Sequence, residues 1–278
     1  MSDPTALTQL QIDSPPRYTK TQLQDYLKVI KLPQKFLDSP AHKTITLDSY
    51  GLFAKFVERR RGGRCMENNT FLGVVLRSLG YEVRDCGGRI SRAMSPYKEE
   101  WYVVDVGMGS MGPNLPYPLR DGFETTSIAP RKIRLQFRAI AESQASNPRT
   151  VTKLWCYDVC YNPGQDGTDK WTPVYAFTET EFLPQDYEVM SWFTSTNPRS
   201  FFTRYVTCTK MIMDEEKEVI IGNNTLFVDT IRETIGDDRK VLRECKTEGE
   251  RIQALEDIFD VRLTEDEKDG LPQDKRLG

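Results

Sequence analysis

Histidine is nearly absent from this chain: its 278 residues hold one, His42. That count restricts the available chemistry, because imidazole is the side chain whose ordinary pKa lets it move protons near neutrality. No apolar run is long enough to span a bilayer, and the opening MSDPTALTQLQIDSPPRYTK has no apolar secretion core. Neither sign of charge dominates: 38 Lys and Arg stand against 41 Asp and Glu, a net charge of −3. Nucleic acid and anionic membranes therefore have no electrostatic claim on it as partners. Internal repeats and low-complexity tracts are also missing. What remains is a globular, cytoplasmic chain long enough for one large domain or a few small ones, with no sign of an oligomeric state.

The cysteines are more plentiful. Six of them (Cys65, Cys86, Cys156, Cys160, Cys208 and Cys245) in a chain without a secretion signal read as reduced thiols. Cys156 and Cys160 are spaced CxxxC rather than CxxC, with no histidine nearby, and read as buried strand cysteines, not metal ligands. The sequons at Asn68-Asn69-Thr70 and Asn223-Asn224-Thr225 are chance matches in such a chain.

Hydrophobic spacing predicts a helix over Gln22 to Ile30 and a second one capped by Asp48, with Leu52, Phe53, Phe56 and Val57 on one face. A basic stretch with the Gly62-Gly63 pair follows. A third helix then starts at Cys65, with Phe71, Leu72, Val75, Leu76 and Leu79 apolar and Gly80 as its stop. Beyond Tyr81 the pattern changes to strands: Trp101–Val106, Ile133–Phe137, Leu154–Tyr161 and Trp171–Phe177. Alternation sets Asp105 in line with Trp101 and Val103, so its carboxylate is predicted buried and partnered. A helix over Tyr187–Phe193, strands over Phe202–Thr209 and Glu218–Phe227, and a helix over Arg251–Leu263 precede a charged, frayed tail from Thr264.

Cys65 carries the chemistry. It follows Arg61-Gly62-Gly63-Arg64 at a helix start, where the helix dipole and both guanidinium groups are expected to favour the nucleophilic thiolate. A cysteine at a helix start with an aspartate on a nearby strand is two-thirds of a Cys/His/Asp nucleophilic arrangement.

These segments also resemble a known family. Arg61-Gly62-Gly63-Arg64-Cys65-Met66-Glu67-Asn68-Asn69, then Val104-Asp105-Val106-Gly107-Met108-Gly109 with Pro113 and Pro118-Leu119, resemble the arylamine N-acetyltransferases, most of all the fungal branch. Phe182-Leu183-Pro184-Gln185-Asp186-Tyr187 and Thr194–Phe202 add to the likeness, which runs from about Thr44 to Leu263. The resemblance implies an α+β, papain-like cysteine-transferase fold: a helical domain over 1–80, a central β-barrel over 81–183, an α/β lid over 184–263 and a charged tail over 264–278. It implies Cys65 as nucleophile and Asp105 as the orienting carboxylate, with Thr196 and Ser200 near coenzyme A. It further implies ping-pong transfer from acetyl-CoA, or malonyl-CoA as in some fungal relatives, to a small aromatic amine, without a metal.

One departure is decisive. The family's triad histidine lies between the Gly87-Gly88-Arg89 region and the Asp105 motif, yet here Met94-Ser95-Pro96 runs straight into Tyr97. A second shortfall falls between Pro40 and Ala41, and His42 beside it sits in a polar, turn-like context. Loss of a core strand is expected to break the barrel. Two main expectations follow: an acetyltransferase whose sequence here lacks an internal coding segment, or an inactive homologue that binds CoA or an aromatic ligand. A weaker third is another papain-like or transglutaminase-like cysteine enzyme.

Overall fold

Asp48 opens the first helix: its carboxylate accepts the Gly51 amide at 2.7 Å, the N-cap role expected of it. Helix α1, Ser49–Phe53, continues directly into a π-helical turn, Ala54–Glu58, that periodicity did not predict. These coordinates are those of a computed structural model, which describes residues 18–19, 21–22, 34–35, 45–88, 90–94, 99–145, 147, 149–164 and 168–278. The expected helix over Gln22 to Ile30 lies almost wholly outside the described residues, and His42 lies outside them too.

Helix α2, Cys65–Ser78, is buried on two flanks. Phe71, Val74 and Val75 pack against Tyr18 and Leu52, while Leu72 and Leu76 pack against Val83, Ala93 and Val104. Each fully buried aliphatic or aromatic side chain contributes about 1.5–3 kcal/mol, so α2 is the pin between the helical and the sheet layers. Leu79, expected on this face, is exposed at the helix end, and Gly80 follows with a left-handed φ of 93°.

The central region is two four-stranded antiparallel sheets. One is β2 (Glu82–Cys86), β3 (Ile90–Met94), β4 (Trp101–Val104) and β5 (Tyr117–Pro118); the other is β6 (Glu124–Thr126), β7 (Lys132–Arg138), β8 (Leu154–Cys160) and β9 (Thr172–Phe177). They share one core, with Cys86, Val103 and Tyr117 from the first and Ile133, Leu135, Trp155, Tyr157, Val159 and Phe177 from the second. The expected barrel is corrected here: among the described residues neither sheet closes and no strand joins them. β5 is two residues long and ends in Pro118, which has no amide to extend the ladder. Cys156 and Cys160 are buried in β8, as read from sequence.

Strands β3 and β4 pair directly, Met94 opposite Trp101, across the joint where a missing segment was expected. The sheet is therefore continuous at the point where a break was expected. The Trp101 ring lies near two guanidinium groups, Arg84 at 5.0 Å and Arg92 at 4.6 Å.

The third sheet runs β1 (Gln34–Lys35), β10 (Thr207–Asp214), β11 (Val219–Phe227), β12 (Thr230–Ile235) and β13 (Asp238–Glu244). β1 lies within the stretch expected as a helical domain, after the helix expected over Gln22 to Ile30, and it pairs antiparallel with β10. Before this sheet come α3 (Pro184–Thr196) and α4 (Phe201–Arg204). The strand expected from Phe202 begins only at Thr207, because Ser200 caps α4 by accepting the Phe202 amide. Helix α5 (Glu248–Phe259) lays Ala254, Leu255 and Phe259 on Cys208, Leu226 and Ile231. The tail is not frayed: α6 (Glu265–Asp269) forms, and Leu277 packs against the α5 core. Among the described residues no helix is long and apolar enough to cross a membrane.

Candidate active site

Cys65 is the first residue of α2 and is 9% exposed. Its side chain packs with Met66 and Tyr187, flanked by Leu47, Phe182 and Met190. The approach to it is sterically exacting. A Cβ on Gly63 would lie 2.7 Å from the Phe56 ring and 2.8 Å from Asn68 Oδ1, so a larger residue there would displace both side chains. Arg60 adopts a left-handed φ of 52°, an uncommon conformation for a residue with a side chain.

Glu67 stabilises the helix start twice. Its Oε2 accepts the Arg64 amide at 3.0 Å, and its Oε1 meets Lys55 Nζ at 2.7 Å, with both side chains almost wholly buried. The two arginines expected to surround the thiol with positive charge each meet a partner far along the chain. Arg61 pairs with Glu267 at 2.7 Å. Arg64 Nη1 donates to Ser195 Oγ at 2.5 Å and its guanidinium lies 5.7 Å from the Phe202 ring centre. These contacts fasten the approach loop to the C-terminal part of the chain.

Asp105 is buried one residue beyond β4 and partnered, as expected. Its Oδ1 accepts Asn69 Nδ2 at 2.9 Å and the Gly107 amide at 2.7 Å. Asn69 Oδ1 accepts the Val106 amide at 2.9 Å, and Asn68 Nδ2 donates to the Val106 carbonyl at 3.2 Å. Two adjacent asparagines thus join the first turn of α2 to the loop after β4. The fit is close: a Cβ on Gly107 would stand 2.6 Å from Cys65 Cα.

Tyr157 and Tyr175 stack with ring centres 5.0 Å apart. Burial first, then the Asp105 charge, holds the Tyr175 phenol well above its usual pKa, so it stays protonated. Tyr187 donates to the Cys86 carbonyl at 3.1 Å, and burial pushes its phenol up likewise. Burial also raises the Cys86 thiol to about 11 and Cys208 to about 12.

The two residues expected near coenzyme A are engaged locally. Thr196 Oγ1 donates to the Trp192 carbonyl at 2.7 Å, and Ser200 Oγ donates to the Thr194 carbonyl at 2.6 Å. Ser195, immediately before Thr196, is the residue that reaches the Cys65 approach through Arg64. Sequence reasoning also missed the roles of Glu67, Asn69 and Gly107. All three stand inside the motifs around Cys65 and Asp105, and that was the available signal.

A sequence profile described as N-acetyltransferase matches residues 21–268. The N-malonyltransferase FDB2 of Fusarium pseudograminearum (strain CS3096) is 64% identical over 339 residues, covering 100% of this chain and 99% of that protein. Since 278 residues here meet an alignment of 339, at least 61 positions face no residue of this chain, and because both ends are covered the shortfall is internal. The arylamine N-acetyltransferase of Mycolicibacterium smegmatis is 32% identical over 202 residues, covering 64% of this chain and 63% of its own. In structure, the Mycobacterium marinum arylamine N-acetyltransferase solved in complex with CoA superposes with a TM-score of 0.64 at 23% identity, over 80% of this chain and 78% of that one. By its profile, by its fungal and bacterial relatives, and by a papain-like α+β fold, this chain belongs to the arylamine N-acetyltransferase family.

Proposed function

We propose that this N-acyltransferase moves an acyl group from acyl-CoA to the amino group of a small aromatic amine or hydrazine, in the cytoplasm, with Cys65 as acyl carrier and Asp105 as orienting carboxylate. The observation that carries the reading is the junction of the two motifs: Asn68, Asn69 and Gly107 hold the Asp105 loop against the helix turn that begins with Cys65.

In the first half-reaction the Cys65 thiolate attacks the thioester carbonyl and CoA leaves as its thiolate. In the second, the amine attacks acyl-Cys65, the C–S bond breaks, and the amine proton must pass to a base. No imidazole lies among the described residues to take it. Members of such a unit act together, and loss of one costs about 10⁴- to 10⁶-fold in rate. Turnover by this chain is accordingly slow, and a sequence carrying the missing internal positions would be the fast form. The donor fits malonyl-CoA at least as well as acetyl-CoA, because the 64%-identical relative is named an N-malonyltransferase.

A second reading, a homologue that binds CoA or an aromatic ligand without turnover, is favoured by the same internal shortfall. Intact mass spectrometry after exposure to acetyl-CoA or malonyl-CoA separates the two. An acyl adduct on Cys65 that an arylamine discharges, absent in Cys65→Ala, supports transfer. CoA binding by calorimetry with no adduct supports the second reading, and absence of both overturns the proposed site.

A further inference from the structure

The last residues of the chain reach the approach to Cys65. Glu267 Oε2 accepts Arg61 Nη2 at 2.7 Å, across 206 positions of sequence. The same oxygen accepts the Thr264 amide at 2.8 Å, so the carboxylate is oriented by the start of α6 before it meets the arginine. Both partners are largely buried, with side chains 9% and 21% exposed. On the same helix the Lys268–Glu265 pair faces solvent, its glutamate 84% exposed.

The tail is anchored at its far end as well. Arg251, buried in α5, donates to the Lys275 carbonyl at 2.7 Å and to the Val228 carbonyl at 3.0 Å. Residues 264–278 therefore form a strap between the C-terminal sheet and the approach loop. At the loop, the Arg61 amide donates to the Lys55 carbonyl at 2.9 Å, and the Lys55 ammonium meets Glu67 in the first turn of α2. Arg60, next to Arg61, carries the left-handed φ of 52°. A backbone conformation of that kind persists only where its surroundings hold it.

We propose that Glu267 is a positioning residue for Cys65: its ion pair with Arg61 holds the strained turn before Gly62-Gly63, so the C-terminal strap sets how the nucleophile is presented. This rests on Cys65 being the nucleophile, but its test needs no acyl transfer. The full chain is treated with iodoacetamide, and alkylation of Cys65 is followed by intact mass and peptide mapping, beside a thermal melt of each variant. Glu267→Lys raises the alkylation rate about three- to fivefold through more frequent local opening. Glu267→Gln, which keeps the side-chain size, moves it the same way by less. Arg61→Glu combined with Glu267→Lys returns the rate toward the parent value, and Lys268→Ala leaves it unchanged. Equal rates for Glu267→Lys and Lys268→Ala, or a double variant no closer to the parent than the singles, overturn the proposal. Failure of the nucleophile assignment would be read separately, as an absent acyl-CoA adduct.

Discussion

Helices α2 and α3 both touch Cys65, and they are built in opposite ways. The first turn of α2 is polar and buried, and its side chains bond to remote residues: Glu67 to Lys55, Asn69 to Asp105 and Asn68 to the Val106 carbonyl. The hydroxyls of α3 mostly bond back to their own helix, Thr194 to the Met190 carbonyl and Thr196 to the Trp192 carbonyl. Its apolar residues Val189, Trp192 and Phe193 face solvent, Trp192 with 68% of its surface exposed. A buried polar group left without its partner is costly, whereas an exposed side chain is nearly neutral to change. The α2 side of the site therefore has one geometry, while α3 presents buried Tyr187 to Cys65 and leaves only its outer, solvent-facing side open to variation.

Substitutions can break that contrast, and their expected effects fall in order. Glu67→Ala strands the Lys55 ammonium in the interior and is expected to cost about 3–5 kcal/mol in urea unfolding. A cost below that of an exposed site would show that the pair is not buried in solution. Gly107→Ala drives a methyl into the Cys65 backbone; we expect about 1–3 kcal/mol of lost stability and at least a tenfold slower acylation of Cys65. Asn69→Ala removes a donor from Asp105 and an acceptor from the Val106 amide, for about 1–3 kcal/mol by the same unfolding measurement. Trp192→Ser on α3 stays within about 0.5 kcal/mol of the parent.

pH sharpens the comparison further. The Cys86 and Cys208 thiols are raised by burial from an unfolded value of 9.0 to about 11 and about 12. The unfolded chain releases those protons first, so their stabilising contribution is complete below pH 9 and is lost as pH rises toward 12. Melts across that range should show an alkaline decline that shrinks in Cys208→Ala. At pH 8, iodoacetamide should reach Cys65 before either of them.

Much of this architecture was legible in the sequence. The α2 boundaries, the Gly80 stop, the Asp48 cap and the strands at β7, β8 and β9 followed from periodicity and capping chemistry, which are local. The burial of Asp105 followed from its alternation with Val103. What could not be read depended on distant partners. Lys55 sits in a π-helical turn and points at Glu67, a pairing that no helical repeat encodes. The contacts of Arg61 with Glu267 and of Arg64 with Ser195 were not legible because those partners lie far along the chain. The open sheets differ from the expected barrel because closure depends on which edges meet, and β5 is too short to carry a ladder across.

The β3–β4 hairpin has a consequence for how this fold tolerates change. Met94 and Trp101 stand opposite one another in the ladder, so the backbone leaves and returns within about 5 Å. A segment spliced there starts and finishes at one point, whatever its length. Closing a longer loop adds only about 0.6 kcal/mol for each doubling of its length. The hairpin is thus a port where the entropic cost of a longer connection is small.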